Sequence, residues 1–201
     1  MKVICSKVNL LSGINIVLKA VPVKTTMSVL ECILIKVEND RIMLESNDME
    51  LAIETVVEGE IIEEGCIAIN AKYFSEIVRK LPDSDVTIET DSSLNTHIDC
   101  DNVNYNIPAK DGDEFPALPT IEKDKKITLS ELTLKDIIRQ TVFSISDNEN
   151  NIIMTGELFE ITGNKMRVVA LDGHRIAVRR VELRENYGNY KVIVPGKALS
   201  E

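Results

Sequence analysis

The chain has 201 residues, 44% of them apolar and 28% charged, which excludes a disordered polypeptide and fits one large globular domain or two small ones. A net charge of −10 argues against a protein that grips nucleic acid through a uniformly basic surface. The most apolar stretch, Met27 to Val37, is broken by Glu31 and Lys36, and Ser6, Lys7 and Asn9 interrupt the N-terminus where a signal peptide would be apolar, so the expectation is a cytoplasmic protein without a membrane span.

Val8 to Val21 carries apolar residues at 8, 11, 14, 18 and 21, behind Ser6 as an N-cap and ahead of Pro22, and is predicted to be helical. Ile33, Ile35 and Val37, then Ile42 and Leu44 across the polar pair Asn39-Asp40, then Leu51 and Ile53, follow the period of two that marks strands. Ala71 to Leu81 returns to helical spacing, with Phe74, Ile77, Val78 and Leu81 on one face, Asn70 ahead and Pro82 behind. Val86 and Ile88, Ile98, and Val103, Tyr105 and Ile107 are again strand-like, with turns at Asp83-Ser84 and Asp91-Ser92-Ser93. The acidic, proline-containing stretch 111–119 reads as a linker. Leu132 to Ile145, behind Ser130, places Leu134, Ile137, Ile138, Thr141 and Val142 on one face and is the third predicted helix.

An internal repeat organises these elements. At an offset of 124, Val3, Cys5, Ser6, Val8, Leu10 and Ile14 match Ile127, Leu129, Ser130, Leu132, Leu134 and Ile138. At 126, Glu31, Ile33, Ile35, Arg41 and Ile42 match Glu157, Phe159, Ile161, Arg167 and Val168. At 125, Leu51, Ala52 and Ile53 match Ile176, Ala177 and Val178, and Ile67, Ile69, Lys72, Phe74, Ser75 and Glu76 match Val192, Val194, Lys197, Leu199, Ser200 and Glu201. The expected organisation is a first domain over 1–120 and a second, incomplete copy over 121–201 that begins near Lys125. The chain thus reads as a fragment, and the strands around Phe159, Val168 and Ile176 are expected to be left partly uncovered.

Little in the sequence points to covalent chemistry. The cysteines Cys5, Cys32, Cys66 and Cys100 lie 27, 34 and 34 residues apart without a C-x-x-C pair, and there are two histidines, so reduced buried thiols are expected rather than a metal site. The string Leu171-Asp172-Gly173-His174-Arg175-Ile176-Ala177-Val178 invites a hydrolase reading with His174 as base beside Asp172, but no G-x-S-x-G, Walker or G-x-G-x-x-G motif accompanies it. Neither a catalytic residue nor a cofactor is assigned. Charge is segregated: residues 7–20 and 71–81 each carry +2 and 131–145 is neutral, leaving −14 for the remainder. Mildly basic helices in an acidic chain suit weak, sequence-independent contact with phosphates. His97 lies in a strand-like segment and is given no role.

Several segments carry a resemblance: Thr25-Thr26-Met27-Ser28-Val29-Leu30, Asn47-Asp48-Met49-Glu50, Gly156-Glu157-Leu158-Phe159-Glu160, Ala170 to Ala177, and Val192-Ile193-Val194-Pro195. Together they resemble the bacterial DNA polymerase III beta subunit, the sliding clamp, over Met1 to Glu201. The resemblance implies an α+β DNA-clamp fold of repeated domains, each with two helices packed on antiparallel sheets. It further implies three such domains per protomer, the third absent here, and a homodimeric ring around duplex DNA. The implied function is a processivity factor without chemistry of its own, which tethers the DNA polymerase III alpha subunit, the clamp loader and other motif-bearing proteins through a pocket for Gln-x-x-Leu-Phe-like peptides. Residues matching the pocket are Met154, Leu171, Gly173, His174, Arg175 and Ile176, and residues matching DNA-facing positions are Lys24, Lys72, Arg79, Asn148 and Lys197. Leu171 stands where many relatives have threonine, Lys24 where they often have arginine, and Gly196 where they are often basic. The alternative reading is a truncated clamp-like peptide-binding module that does not encircle DNA.

Overall fold

The computed structural model describes residues 1–118, 126–148 and 150–201. The expected domain boundary at 120, the start of the second copy near Lys125 and the last residue of the predicted linker lie outside these residues. By compactness the chain divides into a unit over 1–119 and another over 120–201.

In the first unit, β1 (Lys2–Ser6) leads into helix α1 (Lys7–Val17), whose first turn is closed by the Ser6 hydroxyl accepting the Asn9 N–H at 3.3 Å. The predicted helix to Val21 leaves α geometry at Val17 and finishes as a 3₁₀ turn over Leu18–Ala20, where the Ser46 hydroxyl reaches the Val17 carbonyl. Strands β2 (Cys32–Glu38), β3 (Arg41–Asn47), β4 (Ala52–Val57), β5 (Glu60–Glu63) and β6 (Gly65–Asn70) follow, then helix α2 (Ala71–Lys80), capped by Asn70, and β7 (Asp85–Thr90), β8 (Asn95–Cys100) and β9 (Val103–Asp111). The hairpin between β2 and β3 turns on Asn39 and Asp40, both at positive φ (51° and 57°), as a type I′ turn requires.

All nine strands join one antiparallel sheet in the order β4-β3-β2-β6-β9-β8-β7-β1-β5. Strand β9 links its two halves, pairing through 103–108 with β8 and through 109–111 with β6. Leu10, Ile14 and Val17 of α1 and Phe74 and Val78 of α2 pack into a core with Ile33, Ile35, Leu44, Ile69, Ile88 and Ile98. Gly13 lets α1 lie close to the sheet, since a Cβ there would meet Val57 Cγ2 at 2.6 Å.

The linker expected over 111–119 is corrected by the structure. Asp111 ends β9 and its carboxylate accepts the Asp113 N–H at 3.0 Å, residues 112–114 form a 3₁₀ turn, and Phe115 is buried with Val29, Leu30, Cys32, Leu34 and Ala68 on the opposite face of the sheet from the helices. A single aromatic ring anchors a stretch whose acidic, proline-bearing composition hides it.

The second unit holds helix α3 (Glu131–Thr141), which tightens into a 3₁₀ turn at Val142–Ser144 instead of continuing to Ile145, then a further 3₁₀ turn (Ile152–Thr155), strands β10 (Gly156–Thr162), β11 (Lys165–Leu171), β12 (Ile176–Glu182) and β13 (Asn189–Pro195), and helix α4 (Gly196–Ser200). Its sheet order, β12-β11-β10-β13, reproduces β4-β3-β2-β6, with α3 and α4 in the places of α1 and α2. The sequence repeat is therefore a structural one.

Two expectations for this unit change. Residues 126–130, matched to β1 by the repeat, form no strand; β1 is held by β5 and β7, and the described residues of the second unit include no counterpart of β7. Phe159 and Val168 are buried beneath α3 with Ile137, Ile161 and Met166, whereas Ile176 is exposed as expected.

Candidate functional site

The residues proposed for a peptide pocket gather at one end of the second unit's sheet. Leu171 is the last residue of β11 and Ile176 the first of β12, and they face each other across the hairpin. Met154 lies two residues before β10, which starts at this same end beside Pro195, the last residue of β13. Leu171 and Met154 are half-buried, and Ile176 is 64% exposed.

Asp172 builds the turn between them. Its Oδ1 accepts the backbone N–H groups of His174 at 2.9 Å and Arg175 at 3.0 Å, while Oδ2 accepts the Arg175 Nε–H at 2.7 Å. The His174 N–H, and with it the Arg175 backbone and guanidinium, hold this carboxyl below the usual carboxylate range. Its oxygens are spent on the turn and on Arg175, with no bond to the His174 ring, so the geometry gives Asp172 a structural task rather than that of orienting a base. Gly173 sits at φ +90° with nothing within 4 Å of where a Cβ would be, so glycine serves the backbone conformation and leaves open space. His174 and Arg175 are exposed beside that space.

The first unit carries the same turn. Asp48 Oδ1 accepts the N–H groups of Glu50 at 3.0 Å and Leu51 at 2.7 Å, and Met49 takes the positive φ (74°) that Gly173 takes in the second unit. The turn is thus part of the repeat, and the second unit distinguishes itself by having Gly-His-Arg where the first has Met-Glu-Leu.

The DNA-facing candidates are dispersed. Lys72 and Arg79 lie on the exposed side of α2, Lys24 is exposed in the segment between α1 and β2, and Lys197 is exposed in the first turn of α4. Asn148 is exposed in a turn where its Oδ1 accepts the Asn150 N–H at 3.0 Å. The exposed side of α1 is sparse in charge: Val8, Asn9, Ser12, Asn15 and Ile16.

Among the described residues no group of three or more His, Cys, Asp or Glu side chains forms a cluster fit for a metal, and no helix is long and apolar enough to cross a membrane. All four cysteines are free thiols, and burial pushes the Cys5 thiol up to about 11.

Comparison with known proteins decides the family. Residues 1–119 match the model of the DNA polymerase III beta subunit, N-terminal domain, and residues 128–201 that of its central domain. The chain belongs to the DNA polymerase III beta subunit family. It is 38% identical over 200 residues to the beta sliding clamp of Halalkalibacterium halodurans, covering 94% of this chain and 53% of that one. A solved putative DNA polymerase III beta subunit from Eubacterium rectale superposes with a TM-score of 0.94 at 60% identity, over 100% of this chain and 55% of that one. The sliding clamp of Bartonella birtlesii, solved bound to griselimycin, superposes with a TM-score of 0.91 at 27% identity, again over 100% of this chain and 55% of that one. The chain therefore spans about half the length of the clamps it matches.

Within this family member the structure adds residues that sequence reasoning missed. Ile152 and Ile153, adjoining Met154, are 72% and 69% exposed, an apolar pair at the same end of the sheet as the Asp172 turn. Two consecutive isoleucines outside any periodic segment were the available signal. Glu157, at the start of β10, is buried against α3, where its Oε2 lies 2.9 Å from the Thr141 hydroxyl.

Proposed function

We propose that this chain supplies the first clamp domain (1–120) and a part of the central one (121–201) of a cytoplasmic, non-catalytic DNA sliding clamp. In that role a homodimeric ring encircles duplex DNA without reading its sequence and tethers the DNA polymerase III alpha subunit, the clamp loader and other motif-bearing partners. The observation that carries the reading is the doubled architecture itself: the second unit repeats four strands of the first in the same order, with the same aspartate-closed turn, in a chain whose residues 1–119 and 128–201 match the family.

The peptide contact is placed on Met154, Leu171, Gly173, His174, Arg175 and Ile176. Leu171 and Ile176 offer an apolar wall, Gly173 leaves room for a ligand backbone, and Arg175, tied through Nε to Asp172, keeps its terminal nitrogens for a partner. Lys24, Lys72, Arg79, Asn148 and Lys197 are placed on the DNA side as sequence-independent contacts.

Griselimycin tests the pocket. Titrated into the isotopically labelled chain, it should shift the amide resonances of Met154 and residues 171–176 ahead of all others, and Arg175→Ala should weaken binding. Shifts confined to other parts of the chain, or none at millimolar ligand, refute the pocket assignment.

A further inference from the structure

The face of the second unit's sheet turned away from α3 is laid out in rows by the strand register. Leu171 and Ile176 face each other, then Val169 and Val178, with Leu158 and Ile193 continuing that apolar row across β10 and β13. The next row reads Lys191, Glu160, Arg167, Arg180 across the four strands. The row after it includes Lys165 opposite Glu182.

The charged row holds three cations and a single anion. Glu160 serves two cations, accepting from Lys191 Nζ at 3.3 Å and from the Arg167 guanidinium, and both hold its carboxyl below the usual range. Arg180 stands directly opposite Arg167 and has no ion pair among the described residues. Like charges directly opposite on an antiparallel pair are some 4.5–5.5 Å apart at Cβ and destabilise it. An anion seated between the two guanidiniums turns that repulsion into two attractions. Here the surface opens into a groove of about 500 Å³ lined by Glu160, Lys165, Arg167, Arg180 and Glu182 among others.

We infer that this row is an electrostatic extension of the peptide pocket, in which a partner's aspartate or glutamate side chain docks between Arg167 and Arg180. The inference rests on the pocket reading above. A segment whose apolar residues meet Leu171 and Ile176 and which runs on along β12 passes Val178 and reaches Arg180 four residues further, about 13 Å at the rise of a strand. The preferred partner therefore carries an acidic residue about four positions from its apolar anchor. The fit is charge complementarity: Arg180 makes no ion pair among the described residues, and Glu182 of the same groove stands in the next row opposite Lys165.

Two pairs of synthetic peptides test this. All carry the same Gln-x-x-Leu-Phe anchor; one pair varies the residue four positions before it and the other the residue four positions after it, each pair comparing glutamate with a glutamine control. Titrated into the labelled chain at low salt, one of the glutamate peptides should bind two- to fivefold more tightly than its control, the range expected of a partly exposed ion pair, and salt should erase the difference. In Arg180→Gln, once an amide spectrum unchanged away from residue 180 has shown that it folds, the preference should vanish while the control peptide binds as before. Equal binding of acidic and neutral peptides, or a preference that survives in Arg180→Gln, overturns the extension while leaving the pocket standing. If no peptide moves the resonances of 171–176, pocket and extension fall together. If short duplex DNA rather than the acidic peptide moves Arg180, the groove belongs to a phosphate backbone and the peptide assignment is wrong.

Discussion

Glu157 shows how one side chain sets a pH dependence that the sequence does not announce. It is fully buried at the start of β10, and burial pushes its carboxyl above the ordinary value of 4.5. The Thr141 hydroxyl lies 2.8 Å from the Ile137 carbonyl and 2.9 Å from Glu157 Oε2. A hydroxyl has one proton, so both bonds are made at once only if Glu157 is protonated and donates to Thr141, which in turn donates to Ile137. Among the described residues no charged group contributes to this shift: burial raises it, the Thr141 contact alone opposes it, and Arg167 and Lys191 pair with Glu160 on the far side of the sheet. Because the folded state holds this proton more tightly than the unfolded one, the contribution of Glu157 to stability is fully present below pH 4.5 and is lost as pH rises from there through the raised folded value. Glu157→Gln keeps the shape and removes the titration. In urea melts of the second unit's signals the variant should equal the parent near pH 4 and exceed it by about 1–2 kcal/mol at pH 7.5. A difference that does not change with pH refutes a titrating Glu157.

At the level of elements, the three long helices were legible because each combines a polar cap with an apolar stripe, as Ser6, Asn70 and Ser130 show by accepting N–H bonds three residues on. Their last turns were not, because Val17 and Thr141 end regular α geometry while the apolar spacing runs on into the following 3₁₀ turns. Phe115 was hidden by its acidic neighbours, and the outward row of Glu160, Arg167, Arg180 and Lys191 was hidden because only strand pairing brings those four residues side by side. The residues proposed for the pocket stand out in the sequence as a motif, yet the role of Asp172 as the closure of a turn shows only in the folded chain. The proposed DNA-facing set is thin at this level. α2 exposes Lys72, Arg79 and Lys80, but the exposed residues of α3 include Glu131 and Asp136 beside Lys135 and Arg139. Affinity for linear duplex should accordingly be weak, indifferent to sequence and lost with modest salt. Gel shifts at low salt should show the residual binding disappear in a Lys24→Glu, Lys72→Glu double variant; tight or sequence-selective shifts would contradict the clamp reading.

For the whole molecule, the two units share a plan but differ in how much apolar surface they bury. Among the described residues the first unit's main core unites 22 buried residues beneath two helices, whereas the second's cluster has six under α3 and the five-residue α4. Burial contributes roughly 25 cal/mol per Å² of apolar area, against net domain stabilities of only ~5–15 kcal/mol, so a core of this smaller size sits near the margin. The second unit also has β12 and β13 as the outer strands of a four-stranded sheet, and along β13 Tyr190, Val192 and Ile193 are 43%, 51% and 41% exposed. An unpaired strand edge with apolar side chains beside it is a template for pairing with another chain. Hydrogen exchange should therefore separate the units: amides of β10 and β11 should exchange much faster than those of β2 and β3, although both pairs are interior strands of equivalent hairpins. Sedimentation should show association that grows with concentration, with the protection of β13 amides rising in step as its free edge is covered. Equal protection of β2, β3, β10 and β11 in a sample that sediments as a monomer at all concentrations would show that the second unit's small core is sufficient and its open edge inert.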